Sequence, residues 1–310
     1  MIDIHADDYA LTLRTSEEML ALMKEGVLDS ISIIPNTGSF DKCIDLLISE
    51  IPNLPFLPAM SVHLNIVEGI SLSSGDGSLI DSTWKSLFLC SVNPFCYGNT
   101  KKALKSEINA QIRTGWDAIQ KCMAKAKERG IACDQKKIRI DSHQHSHMIP
   151  IVWSAIMEVI NENGYEVEYI RNSKEPLAVF LGETSLIGSY RPVNMVKNRI
   201  LHSFSGSPDR FDRKAGRKPM YLWGLIMSGK MDADRIEKLL PAVLNKAEKQ
   251  GRDLEILFHP GRMTEDELCP EIPKTSADDF YLSPNRDIEK EGARMCRKLV
   301  GPHIPSGDIK

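Results

Sequence analysis

Short apolar runs alternate with longer amphipathic stretches along most of this chain, and that alternation restricts the fold more than any other property. "IDIHADD" (2–8) reads as a strand entering a loop. "TSEEMLALMKEGV" (15–27) reads as a helix that opens with a capping box, Thr15 to Glu18, and stops near Gly26. Strands at 30–35 and 59–65 flank a helix in "SFDKCIDLLISEI". A long helix from about Lys101 to Arg129, closed by Gly130, leads to a strand at 137–145, a helix at 149–164 and a strand at 166–172. A helix over 232–251, with Pro241 inside it, precedes a final strand at 254–261. Strands separated by helices imply a parallel sheet, open or closed into a barrel. The 310 residues fit a barrel of about 250 with insertions. The expected fold is therefore α/β, a distorted (β/α) TIM-like barrel in a single domain. Two stretches are expected as insertions or lid segments: 66–99, rich in Gly, Ser and Asn, and 173–231, with its basic "DRFDRKAGRKP" and apolar "MYLWGLIM".

Charge and cysteine usage narrow the partners. A formal net charge of -3, with Lys and Arg scattered among Asp and Glu, favours neither nucleic acid nor an anionic membrane, and suits a small substrate. The opening residues carry acid where a signal peptide carries base, and no apolar run reaches the roughly 18 residues of a membrane span, so a cytoplasmic location is expected. The seven cysteines (Cys43, Cys90, Cys96, Cys122, Cys133, Cys269 and Cys296) include no CxxC pair, which argues against a disulfide framework and a thiolate zinc site. They read mostly as small buried apolar residues. A homodimer is plausible only as a general expectation for a soluble enzyme.

Function is concentrated where the predicted strands end. His5, Asp7 and Asp8, then His63, then Asp141 to His147, then Arg171, then His259 lie at or just beyond the C-terminal ends of five strands. In a parallel barrel those ends share one face, where active sites are built. One or two carboxylates with two or three imidazoles suit a divalent ion such as zinc, manganese, cobalt or nickel. Asp7 and Asp8 are neighbours, so an extended strand points them to opposite faces; both reach one site only if the chain turns there. One of them would bind metal and the other orient or deprotonate a water. "DSHQHSH" would place Asp141, His143, His145 and His147 on one face if extended. With the next helix near Pro150, the later residues should already be turning. His143 then becomes the ligand, Asp141 or another His supports it, and the remaining imidazoles line the substrate cleft. His259, at the end of "LFHPG", could protonate a leaving amine or brace an oxyanion, and Arg171 could pair with Asp7 or touch substrate. Taken singly, each is equally readable as an ordinary loop polar group. His202 and His303 are expected to be uninvolved surface residues.

"ADDYALT", "SVHLN", "DSHQHSH" and "LFHPG", in this order, resemble the YdjC-like carbohydrate deacetylases, the family of chitooligosaccharide deacetylases, and "NRDIEKEGARM" (285–295) is similar to the family's terminal Arg-containing helix. The sequence departs from the family in Tyr9-Ala10, where Phe-Gly is usual, and in Ser61-Val62, where Gly-Leu is common. The resemblance implies a distorted (β/α) barrel that removes an acetyl group from an N-acetylated sugar with one divalent metal ion, zinc or magnesium foremost. It implies Asp8, His63 and His143 as metal ligands, Asp7 as base and His259 as acid. Asp141, His145, His147 and Arg171 are left as substrate-binding or supporting residues. Tyr97, Tyr221 and Trp223 are candidates for stacking on a sugar ring, against a plain role in the core. Two rival readings are a phosphoesterase, which would need two or three metals and a basic pocket, and a sugar-binding protein without turnover.

Overall fold

A computed structural model describes residues 1–268 and 280–303, so Cys269 lies outside the described residues. Seven parallel strands form one curled sheet: β1 (Ile2–Tyr9), β2 (Ser30–Ile33), β3 (Ala59–Leu64), β4 (Ile138–Ser142), β5 (Val167–Ile170), β6 (Met220–Trp223) and β7 (Asp253–Phe258). Their order is β5-β4-β3-β2-β1-β7-β6. The expected barrel is thus present as a half-barrel and not as a closed TIM barrel. After β5 the chain passes Pro176 into α6 (Leu177–Gly182), α7 (Pro192–Phe204) and α8 (Gly206–Lys214), where an eighth strand would be needed to close the sheet. One backbone bond, from Leu222 N to Lys174 O at 2.9 Å, ties β6 to the segment beyond β5.

The strands alternate by face, as the two-residue repeat requires. Ile4, Ala6, Ile31, Ile33, Val62, Ile140, Ile170 and Ile256 belong to the apolar core. The other face is polar and equally buried: Asp3, His5, Asp7, Ser30, Ser32, His63, Arg139, Asp141, Arg171 and Glu255 all lie there, sealed from solvent. Polar groups survive burial only when paired, and these form a continuous chain. Arg139 donates to Asp3 at 3.0 Å and Ser30 donates to Asp3. The His5 ring bonds Ser30 and Ser32, both at 2.6 Å, and Ser32 donates on to Asp141.

Several local expectations need correction. The first helix, α1 (Leu13–Lys24), starts one turn before Thr15, because Thr12 supplies the cap and accepts from Thr15 N. Residues 66–99, expected as an insertion or lid segment, are partly helical. They include α3 (Trp84–Val92) and the start of the 36-residue α4 (Pro94–Arg129), whose buried Glu107 accepts from Leu72 N and Ser73 N and so pins the preceding turn. "MYLW" (220–223) is strand β6 and not part of a lid. α2 (Phe40–Glu50), α5 (Pro150–Asn163) and α9 (Ala233–Lys249) match the helical patterns, Pro241 being accommodated inside α9. The last described helix is α10 (Asn285–Val300). Cys43, Cys122 and Cys296 are buried as expected, whereas Cys90, Cys96 and Cys133 are partly exposed. No helix among the described residues is long and apolar enough to cross a membrane.

Candidate functional site

The chain does turn between the two aspartates. Asp8 has φ +74° and Ala10 φ +69°, left-handed values that bend the end of β1. Asp7 and Asp8 therefore face one cavity of about 580 Å³, together with His63, His143, His145 and His259. Gln144 and His145 are also left-handed, at φ +53° and +58°, so "DSHQHSH" leaves the strand at His143. His145 still reaches the cavity, with Nδ1 2.9 Å from Ser173 Oγ. His147 does not: it turns inward to Ser142 Oγ at 2.6 Å and to the Arg171 carbonyl at 2.9 Å. Burial and the nearby Arg171 lower His147 to about 4, while burial and Lys197 push His145 well below the ordinary imidazole value, so both are neutral at pH 7.

Asp8, His63 and His143 present ligand atoms within 4.8 Å of one another. Asp8 Oδ1 lies 3.2 Å from His143 Nδ1 and 3.7 Å from His63 Nε2. The opposite ring atoms decide the tautomers. His63 Nδ1 is 2.7 Å from Asp141 Oδ1, so it carries the proton and leaves a lone pair on Nε2. The Tyr281 hydroxyl donates to Glu68 and accepts from His143 Nε2, 2.7 Å away, so Nδ1 is the ring nitrogen turned to Asp8 and would offer a lone pair once a cation displaces its proton. Two ring nitrogens and a carboxylate oxygen thus converge on one point, a donor set that fits a divalent cation. The electrostatics agree. Burial disfavours charge on His143, but Glu68 and Asp8 outweigh it and raise the imidazole to about 10, so the surrounding carboxylates call for positive charge here. Burial would also raise Asp8, yet His143 and Arg286 hold it well below the usual carboxylate range.

Asp7 is fixed by Arg171, whose Nη1 and Nη2 each donate to one of its oxygens at 2.8 Å. The same guanidinium reaches Glu255 through Nε at 2.6 Å and Asp141 at 3.1 Å. Despite burial, Arg171, His63 and His5 keep Asp7 ionised, and Arg171 and His63 lower Asp141 to about 2. Arg171 therefore pairs with Asp7, one of the two roles expected for it, and does not line the cavity. Trp223 is fully buried and Tyr221 lies under Arg252; neither they nor Tyr97 line the cavity, whose aromatic lining is Trp84, Phe280 and Tyr281.

Glu68, Tyr281, Glu289 and Lys197 escaped the sequence reading, and Arg286 entered it only within the helix similar to the family's Arg-containing one. Arg286 was visible in principle. In α10 the buried stripe of Cys296, Ala293 and Glu289 continues back to Arg286, so charge occupies the face that should be apolar. Glu68 and Tyr281 follow from no local pattern.

The sequence matches the model of the YdjC-like protein family over residues 1–122 and 128–298. The chain belongs to the YdjC-like family. This is a carbohydrate deacetylase-like family. No curated protein matches the chain. A structure from Enterococcus faecalis V583, described as a "putative cellobiose-phosphate cleavage protein", is similar in fold, with TM-score 0.55 and 18% identity over 96% of this chain and 93% of that one.

Proposed function

We propose that this YdjC-like protein is a metal-dependent hydrolase that removes the acetyl group from an N-acetylated sugar or short oligosaccharide. The observation that carries the reading is the meeting of the Asp8, His63 and His143 ligand atoms, with Asp7 and His259 in the same cavity. A divalent ion held by those three residues, zinc or magnesium foremost, would supply Lewis acidity and a more acidic water. Asp7, kept ionised by Arg171, takes a proton from the water whose oxygen bonds the acetyl carbon. His259 gives a proton to the nitrogen as the C–N bond breaks, so the products are acetate and a free amine. Such paired proton transfers contribute about 10²–10⁴-fold each. Trp84, Phe280 and α7 wall the cavity where a sugar ring would sit.

The rival phosphoesterase needs further metals. Two other His and carboxylate groups exist among the described residues, Asp3-His5-Glu255 and His5-Asp7-Asp141, but Arg139 and Arg171 already supply their positive charge. Lys197 and Lys85 do line the cavity, and burial lowers Lys197 to about 8. This favours an anionic substituent on the sugar, such as the phosphate in the description of the Enterococcus protein. The test is acetate release from N-acetylglucosamine and its short oligomers, with and without a phosphate, by metal-loaded protein, a chelated sample and His143→Ala. Release from none of these sugars refutes the deacetylase reading; full rate and full metal content in His143→Ala refute the ligand set.

A further inference from the structure

We propose that Glu289 is the positioning residue of His259, fixing which ring nitrogen carries the proton delivered to the leaving amine; this rests on the deacetylase reading above. The argument begins with how closely α10 is seated. A side-chain carbon on Gly292 would lie 1.8 Å from the Met231 carbonyl oxygen, so only glycine lets the helix approach this far. One turn earlier on the same buried face stands Glu289, with no solvent exposure. Its Oε1 accepts from Gly229 N at 2.6 Å and its Oε2 from His259 N at 2.6 Å. That second oxygen also lies 3.4 Å from His259 Nδ1.

His259 Nδ1 is a buried atom with no hydrogen-bond partner, while the ring as a whole keeps 13% of its surface exposed. Nδ1 is thus sealed against the carboxylate, and Nε2 is the nitrogen left to the cavity. A lone pair on Nδ1 would face the negative Oε2, so the carboxylate imposes the Nδ1–H tautomer. Across the cavity from Glu289, Asp8 and Asp7 are acidic groups that line the same space as His259. Phe280 meets the ring edge-on, with centroids 5.3 Å apart, and limits its rotation. Arg286, three residues before Glu289 on α10, donates to Asp8 at 3.0 Å. One helix thereby sets a metal-binding carboxylate and the proton donor relative to each other.

The test is a double-variant cycle on the metal-loaded full chain with Glu289→Gln, His259→Ala and their combination. Acetate release from an N-acetylated sugar is measured beside hydrolysis of 4-nitrophenyl acetate, whose phenolate leaves without being protonated. Glu289→Gln is expected to lower kcat on the sugar roughly 10²-fold, at the low end of acid catalysis, with KM and metal content unchanged. Added to His259→Ala it should cost under about 3-fold more, because the two residues act as one unit. For Glu289→Gln, ester hydrolysis should fall by less than about 3-fold. A Glu289→Gln rate within about 3-fold of wild type on the sugar overturns the proposal. So does an equal loss on sugar and ester, or in the His259→Ala background, since each marks a merely structural residue. If the unsubstituted protein itself releases no acetate, it is the deacetylase reading that fails, and the role given to Glu289 goes with it.

Discussion

Arg171→Met tests whether the buried polar face of the sheet is held by one cation. The guanidinium is fully buried and touches three carboxylates: Asp7 twice at 2.8 Å, Glu255 at 2.6 Å and Asp141 at 3.1 Å. Methionine has similar length and volume, so the substitution removes charge and donors without opening a large cavity. Breaking one buried pair costs about 3–5 kcal/mol, because the partner's charge is stranded in a poor solvent. Three stranded carboxylates, relieved only in part by His5, His63 and Arg139, argue for the upper half of that range. At about 2 °C per kcal/mol for a chain of this size, Tm should fall by about 8–10 °C. The assay is thermal unfolding followed by far-ultraviolet circular dichroism on chelator-treated protein at pH 7.5, so that metal binding does not enter. Arg171→Lys should lie between wild type and Met, since one ammonium cannot hold both oxygens of Asp7 and also Glu255. A methionine variant melting within 2 °C of wild type would show that the network is not organised around Arg171.

Three further outcomes follow from the same geometry. Asp141→Ala removes the partner of His63 Nδ1 at 2.7 Å and should weaken divalent-metal affinity about 10–100-fold, as read by competition with a chromogenic chelator; an unchanged affinity would contradict the orienting role. Ala10, left-handed at φ +69°, should tolerate Gly within about 1 kcal/mol, whereas Ala10→Val should lower Tm clearly because β-branched residues avoid that region; equal melting of the two variants would dispose of the idea. Burial raises Glu175 to about 7 despite bonds from the Gly224, Leu225 and Ile226 amides, so the folded state holds its proton more tightly than the unfolded state does. Stability should therefore decline as pH rises from about 4.5 through 7, by about 3 kcal/mol in full, and Glu175→Gln should flatten that decline in a urea-unfolding series; parallel pH profiles would refute it.

Legibility in the sequence followed the range of the interactions. Strands and helices were readable because their patterns are local, and His63, Asp141, Arg171 and His259 could be grouped because parallel strands end on one face. The left-handed bend at Asp8 was readable only as a condition for both aspartates to share a site. Closure of the barrel was not readable, since "MYLWGLIM" joins strand β6 directly to the turn whose amides Glu175 holds, and its apolar run looks the same in a lid or a sheet. The aromatic candidates failed for the same reason: burial of Trp223 depends on which strand lies beside β6. Glu68, Tyr281 and Glu289 were out of reach because each acts across a long separation, as in the 213 residues between Tyr281 and Glu68.

The place of β1 within the sheet also bears on how the protein is made. β1 lies between β2 and β7, and its Ile2 pairs with Leu254. While the ribosome adds the intervening 250 or so residues, one whole edge of that strand has no partner. At roughly 5–20 residues per second the interval is on the order of 10–50 s. Throughout it the nascent sheet exposes unpaired backbone in a stretch that also carries buried charge, so chaperone dependence during synthesis should be greater for this chain than its finished core would suggest.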